Sequence, residues 1–397
     1  MRIGIYGGTF NPPHLGHITA ARDMFRALEL DRLLLIPAGI PPHKVLPEGS
    51  ATSAQRLEMT RLAGEFLGLG DRVEVLDMEL RRTGASYTAD TLTELKAQYP
   101  HDELWFLMGT DMFFSLESWR RPEVVLECAN IAAFGRMERD GQEAFEAHRA
   151  HLLETYPSGR GIRTFILPDV VEISSTLLRE ALAGGEGEKY LAPTVYGYIL
   201  KEKLYGTDAD LKHLTADQLR AVALTYLKPK RIPHVLGTEQ EAVRLAEKYG
   251  ADVEKARRAA LLHDCTKKLL MDDQKALCEH YGIQLDEMEQ WALKLLHSKT
   301  GAAIARDVFG VDDEIYSAIF YHTTGKADMS LLEKIIYLAD YIEPTRDFPG
   351  VEKLRKACYE NLDRGLLMGL EMSVEEMRSM GNPVHPATLE ARDWLKG

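Results

Sequence analysis

Residues 1–17 read MRIGIYGGTFNPPHLGH, and this stretch decides the fold of the half that it opens. Arg2–Tyr6 is an apolar run of strand length, the pair Gly7 and Gly8 follows at once, and His14-Leu-Gly-His17 leads into an amphipathic segment over Ile18–Leu28. A strand that passes through glycines into a helix is the first unit of a doubly wound sheet. The glycine pair lets the backbone approach a ligand and expose its N–H groups. The helix that follows offers its N-terminus to an anion. His14 and His17 stand three apart at that start and face the same way, so both can donate hydrogen bonds to phosphate oxygens that gain charge during transfer. No GK[ST] follows, which separates the pattern from a Walker A loop.

Working outward, further strand-length apolar runs stand at Arg32–Pro37, Val73–Leu76, Leu104–Met108, Ile131–Phe134 and Arg163–Leu167. Helical periodicity fills Ala54–Leu67 and Thr88–Tyr99 between them. The alternation predicts an α/β doubly wound parallel sheet with helices on both faces, and a ligand site beyond the carboxyl ends of its strands. After Tyr205 the strand runs stop. Leu214–Tyr226, Glu239–Tyr249, Val253–Leu270, Asp286–Leu296, Thr300–Phe309, Asp312–Phe320, Leu331–Tyr341 and Val351–Leu370 carry apolar residues at three- and four-residue spacing. That pattern predicts an all-α second half. The expected domains are 1–204 and 210–397.

A length of 397 residues suits two such domains. With 45% hydrophobic and 27% charged side chains the chain is far too apolar to be disordered. No uninterrupted apolar run approaches the roughly 20 residues of a membrane helix, and the opening residues lack a secretory pattern. Cys128, Cys265, Cys278 and Cys358 are scattered and offer neither a disulfide framework nor a zinc ribbon, so a cytoplasmic location is expected. The net charge of −13 argues against a broad nucleic-acid face. Small phosphorylated molecules held in local pockets are the expected partners, with no nucleic acid and no membrane, and the oligomeric state stays open.

A second phosphate element stands at Ile173-Ser-Ser-Thr-Leu-Leu-Arg179, after the last strand run. Ser174, Ser175 and Thr176 fall where a helix would begin, and Arg179 lies one turn further on. Alone, such a run is a routine helix cap; beside the first motif it gains a second meaning. In the helical half, His234, the adjacent His263 and Asp264, His297, His322 and Asp340 form a candidate metal set. Imidazole and carboxylate without thiolate suit iron or manganese more than a structural zinc. Six ligands exceed the needs of one tetrahedral ion, so a dinuclear centre bridged by Asp264 is expected, with ions roughly 3.5–4 Å apart. Asp340 interrupts the apolar run Ile335–Ile342, where a carboxylate is costly unless paired or metal-bound.

GGTFNPPHLGH with ISSTLLR resembles the nucleotidyltransferase superfamily with an H-x-G-H signature, and residues 1–204 resemble the bacterial nicotinate-nucleotide adenylyltransferases. Pro41-Pro-His-Lys44, Ser86-Tyr-Thr-Ala-Asp-Thr-Leu92, and Leu107-Met-Gly-Thr-Asp-Met-Phe-Phe114 with Trp119 and Arg120 carry the narrower likeness. The resemblance implies that Gly8, Thr9, Phe10, His14 and His17 hold ATP phosphates, with the two histidines catalytic. It implies that Lys44 reaches the phosphates, that Ser175, Thr176 and Arg179 grip the triphosphate, and that Arg136 joins the ATP site. Gly109 and Asp111 would bind the ribose, and Thr88 and Trp119 the nicotinate ring. The implied reaction moves the adenylyl group of ATP, carried with Mg²⁺, to nicotinate mononucleotide, giving deamido-NAD and pyrophosphate. Where that family more often has Asp, this chain has Asn11, so no carboxylate role is assigned there. Pantetheine-phosphate and FMN adenylyltransferases are the near competitors; His14 and the SYTADTL segment favour the nicotinate enzymes.

The order H…HD…H…H…D resembles the HD-domain metal phosphohydrolases. Over about 210–393 it is similar to the branch that cleaves bis(5′-nucleosyl)-tetraphosphates symmetrically, through Ala260–Lys267, Phe320–Gly325 and Leu338–Gly350. That likeness implies one metal on His234, His263, Asp264 and Asp340, and a second on His297 and His322 with Asp264 shared. Iron is the expected metal, and manganese or another divalent ion the alternative. Lys267 and Arg346 would bind substrate phosphates, and diadenosine tetraphosphate would yield two ADP. Two other readings stay open: a helical half that binds a nucleotide as a regulator without cleaving it, and a first half acting on another phosphate acceptor.

Overall fold

The computed structural model describes residues 1–40, 46–135, 138–167, 171 and 173–397, and for 138–141 the backbone alone. The chain divides into two units, Met1–Asp208 and Ala209–Gly397.

In the first unit the apolar runs become strands β1 (Arg2–Gly8), β2 (Arg32–Pro37), β3 (Val73–Val75), β4 (Glu103–Gly109), β5 (Asn130–Gly135) and β6 (Ile162–Ile166). They form one six-stranded sheet in the order β3-β2-β1-β4-β5-β6, and every pairing is parallel. Near-continuous apolar strands are what a sheet covered on both faces requires. Ile5, Ile36, Leu92, Leu95, Phe106 and Phe113 belong to a core cluster with exposures of at most 3%. β1 runs two residues past its apolar run because its ladder with β2 continues to Gly8 opposite Pro37. The strand order reverses between β1 and β4, which opens a crevice at their carboxyl ends. Gly7, Gly8 and Gly109 stand there. Tyr205, within the expected joint of 204–210, lies on the first unit, its hydroxyl buried on Asn11 Oδ1 at 2.8 Å.

The second unit is helical; the helices Met271–His280 and Pro386–Trp394 were not among the expected ones, and the expected boundaries shift most in four places. The expected Glu239–Tyr249 helix starts earlier, at Ile232; Pro233 sits in its first turn, where a missing N–H costs nothing. The expected Val253–Leu270 helix stops at Leu262. His263 donates from Nδ1 to the Ala260 carbonyl at 2.6 Å, and the chain goes on in tighter turns, with Lys267 N bonded to Asp264 O at 2.9 Å. Residues 287–291 form a turn, and one helix covers Leu293–Phe309. The expected Val351–Leu370 helix breaks at Asn361, whose extended backbone and side chain cap the next helix, Leu362–Ser379. Among the described residues, no helix is long and apolar enough to cross a membrane.

Candidate functional site

In the first unit a cavity of about 380 Å³ opens at the switch point, lined by Gly8, Thr9, Thr88, Asp111 and Trp119 among others. Thr88 is the first residue of the helix Thr88–Gln98, and its N-cap Tyr87 makes no side-chain cap bond, so the cavity meets a helix start whose backbone N–H groups suit an anion. Trp119 is anchored on the opposite wall by Ser115 Oγ, 3.3 Å from its indole nitrogen, and meets Phe106 edge-on at 6.2 Å. Gly109 caps the short helix Thr110–Phe114 that carries Asp111.

His14 and His17 begin the helix Leu15–Ala27. Their rings lie 3.7 Å apart, tilted by 37°, and Phe10 meets His17 edge-on at 5.3 Å. His17 Nδ1 accepts the His14 backbone N–H at 3.1 Å, which leaves Nε2 to carry the proton of a neutral ring. Ser174 spends its hydroxyl on capping Leu177 N, while Thr176 receives Arg179 Nη2 at 3.2 Å. Arg179 Nη1 reaches the Asn11 carbonyl at 2.8 Å, so the two phosphate elements, 168 residues apart, are tied together. Gly16 makes the same junction possible, because a Cβ there would stand 2.6 Å from the Val171 carbonyl oxygen. The Asn11 amide is used structurally: Nδ2 donates to Ser50 Oγ at 2.9 Å and Oδ1 accepts from Ala51 N and Tyr205. Lys44 and Arg136 lie outside the described residues.

Two residues here escaped sequence reasoning. Glu79 is buried in the cavity wall and accepts from Thr91 Oγ1 at 2.7 Å; burial pushes its carboxyl up, against the Thr91 bond. Arg56 is buried behind Thr9. A charged residue in an amphipathic stretch gives no signal that it points inward.

In the second unit all six expected ligands meet. His234 Nε2 lies 3.0 Å from Asp340 Oδ1, 3.4 Å from His263 Nε2 and 3.9 Å from Asp264 Oδ2. His263 Nε2 lies 3.6 Å from Asp264 Oδ2. On the other side, His297 Nε2 lies 3.1 Å from both Asp264 Oδ1 and His322 Nε2. Asp264 thus faces one group of imidazoles with each oxygen. Donor atoms each about 2.1 Å from one cation stand roughly 3–4 Å apart, so these separations fit two divalent ions sharing Asp264. Asp264 Oδ1 is buried and makes no hydrogen bond, as expected of an atom shaped to bind a cation.

The tautomers fit as well. His263 and His322 each close a helix by donating Nδ1–H to the carbonyl three residues back, at 2.6 and 2.7 Å. Each therefore turns the lone pair of Nε2 toward the centre. Burial pushes His297 and His322 down to about 4, and it lowers His263 too, so burial favours the neutral imidazole that a metal would need. Burial works against ionisation of Asp264 and Asp340, yet surrounding imidazoles and cations hold both well below the usual carboxylate range. Lys267 Nζ lies 2.8 Å from His297 Nε2, and Arg346 Nη2 lies 2.7 Å from Asp340 Oδ1. Arg231, three residues before His234, donates to Asp264 Oδ2 and was not anticipated. Glu343 was also missed: it holds His234 Nδ1 at 3.0 Å with no exposure of its own. Burial pushes the Cys265 thiol up to about 12, which makes it a packing residue and not a nucleophile.

Residues 5–181 match the cytidylyltransferase-like family and residues 231–345 match the HD domain family. A protein of Shewanella sp. (strain MR-7), described as a probable nicotinate-nucleotide adenylyltransferase, is 40% identical over 220 residues, which cover 52% of this chain and 99% of that protein. One of Shouchella clausii with the same description is 37% identical over 206 residues, covering 52% of this chain and 97% of that protein. Among solved structures, a predicted HD superfamily hydrolase involved in NAD metabolism from Clostridium acetobutylicum is 42% identical, with a TM-score of 0.45, covering 46% of this chain and 97% of that one.

Proposed function

This chain belongs, through its first unit, to the nicotinate-nucleotide adenylyltransferase family, and from that premise we propose that residues 1–208 transfer the adenylyl group of ATP to nicotinate mononucleotide. The observation that carries this reading is one cavity joining the Gly8–Thr9 turn to the Thr88 helix start and the Trp119 ring. Trp119 stacks on the nicotinate ring and the Thr88 helix start takes its carboxylate. Gly109 and Asp111 hold the ribose. Thr9, Phe10, His14, His17, Ser175, Thr176 and Arg179 hold the triphosphate, and the family likeness adds Lys44 and Arg136. A phosphate oxygen of the mononucleotide attacks the α-phosphorus in line, and the bond to the bridging oxygen of pyrophosphate breaks. Deamido-NAD and pyrophosphate are the products. His17 donates from Nε2 to oxygen that gains charge, and no covalent intermediate on the protein is required. Mg²⁺ enters with ATP as part of the substrate.

In the second unit we propose a metal-dependent phosphohydrolase that cleaves diadenosine tetraphosphate with one water to give two ADP. The observation behind it is Asp264 shared between two sets of imidazoles. Bound divalent cations, iron first and manganese as the alternative, supply Lewis acidity and a nucleophilic water. His234, His263 and Asp340 hold one side and His297 and His322 the other. Lys267 and Arg346, joined by Arg231, orient the phosphate chain and balance its charge.

One purified chain tests both halves. It is assayed for pyrophosphate release from ATP with nicotinate or nicotinamide mononucleotide, and for ADP release from diadenosine tetraphosphate across a metal panel. His17→Ala should abolish the first and spare the second, and His263→Ala the reverse. An iron- or manganese-loaded chain that releases no ADP overturns the hydrolase reading.

A further inference from the structure

Arg56 is 1% exposed, among the largest fully buried side chains of the protein. It stands in the first turn of the helix Ser53–Phe66, one turn from solvent. Its Nη1 donates to the carbonyls of Thr9 at 2.8 Å and Ala38 at 2.6 Å, and its Nη2 to that of Gly39 at 3.0 Å. These carbonyls lie immediately past the ends of β1 and β2. Among the described residues no carboxylate pairs with this guanidinium, and its Nε has no hydrogen-bond partner.

Such an arrangement is expensive for the fold alone. A buried cation is normally paired with an acid. Carbonyl dipoles solvate the charge but do not cancel it, and burial accordingly lowers the guanidinium's proton affinity. An amphipathic helix could fill the same space with leucine or methionine at lower cost. The position of the charge supplies a reason for keeping it. Thr9 and Ala38 line the cavity, so the guanidinium lies directly behind that part of its wall, at the turn that follows β1. The peptide group is planar, with its C=O and the next N–H pointing in opposite directions. A Thr9 carbonyl held inward therefore turns the Phe10 N–H away from Arg56. Phe10 itself has a positive φ of 47°, the kind of kink that gathers N–H groups into an anion-binding concavity.

We propose that Arg56 is a positioning residue of the triphosphate site: it locks the Thr9 carbonyl inward and sets an uncompensated positive charge behind the Gly7–Phe10 turn that a bound polyphosphate neutralises. The proposal rests on the reading of the first unit as an ATP site, and it predicts that anion binding and the buried charge stabilise each other.

The test uses the full chain as wild type, Arg56→Gln and Arg56→Lys, with pyrophosphate as the probe in calorimetry and thermal unfolding, and ATP in steady-state kinetics. Arg56→Gln should weaken pyrophosphate binding about tenfold or more and raise the KM for ATP by a similar factor, more than it lowers kcat. Arg56→Lys keeps a charge whose ammonium is depressed by burial. Its pyrophosphate affinity relative to wild type should therefore fall as pH rises from 6 to 10, and this comparison decides the matter if the glutamine variant does not fold. Wild-type pyrophosphate affinity in a folded Arg56→Gln chain overturns the proposal, as does an Arg56→Lys affinity that runs parallel to wild type at every pH. A wild-type chain that binds neither pyrophosphate nor ATP overturns the underlying assignment instead.

Discussion

Glu343 Oε1 lies 3.0 Å from His234 Nδ1, and the same carboxylate receives the amide and hydroxyl of Thr345, each at 2.6 Å. The approach is so close that a Cβ on Gly237 would stand 2.5 Å from Glu343 Oε2. A carboxylate behind a ligating imidazole fixes its tautomer and raises its basicity. Glu343→Gln retains the shape but can present an N–H to Nδ1 and reverse the tautomer. We expect metal binding about 10–100-fold weaker with an unchanged circular dichroism spectrum, measured by competition with a chromophoric chelator.

Asp264 divides its oxygens, with Oδ2 3.6 Å from His263 and Oδ1 3.1 Å from His297. Removing the shared carboxylate should therefore strip both metal positions, whereas removing His322 should strip one. Elemental analysis of Asp264→Asn and His322→Ala after loading and gel filtration checks this. Equal metal content in the two variants would contradict a bridging role.

At Gly16 the helix start and residue 171 approach within the space of a methyl group, since a Cβ would stand 2.6 Å from a backbone oxygen. Backbone cannot move aside as a side chain can. Gly16→Ala should cost about 1–3 kcal/mol, read as a lower urea midpoint of the first unit's transition. Adenylyl transfer should fall with it, because Arg179 bridges the same junction.

His385 Nε2 lies 2.9 Å from Asp286 Oδ2 and 3.6 Å from Glu289 Oε1. The neighbouring carboxylates, Glu289 first and Asp286 with it, raise the imidazole above its ordinary value of 6.5. Burial works against ionisation of Glu289, but His385 and Lys299 hold it down to about 2. A raised histidine contributes stability that is complete below 6.5 and lost as pH rises through its folded value. The depressed carboxylate contributes stability present above 4.5 and lost toward 2. The urea midpoint of wild type should thus exceed that of His385→Gln most at about pH 5–6 and converge on it as pH rises above 7.

The reach of the sequence differs from residue to residue. All six strands were legible as short apolar runs between helical stretches, most plainly β1, β2, β4 and β5, because a strand buried on both faces is apolar nearly throughout. His263 and Asp264 were legible as candidate ligands but not as a helix end, because the bond from His263 to the Ala260 carbonyl competes with the helix and leaves no trace in periodicity. The break at Asn361 could have been read: asparagine is a strong N-cap, and it caps Arg364 N at 2.8 Å. Arg56, Glu79 and Glu343 could not have been. Each is a charged residue in a region of mixed polarity, and its meaning lies in what surrounds it.

By itself the sequence determined the order and type of the principal elements, the glycine turn with its H-x-G-H start, and the six residues able to hold metal. Those follow from local rules: apolar period, backbone freedom and side-chain chemistry. Only the tertiary structure decided which groups meet. It brought Arg179 to Asn11, gave one Asp264 oxygen to each group of imidazoles, and closed Arg56 onto the carbonyls of Thr9, Ala38 and Gly39. Distance and burial set electrostatic energies, and chain order alone specifies neither.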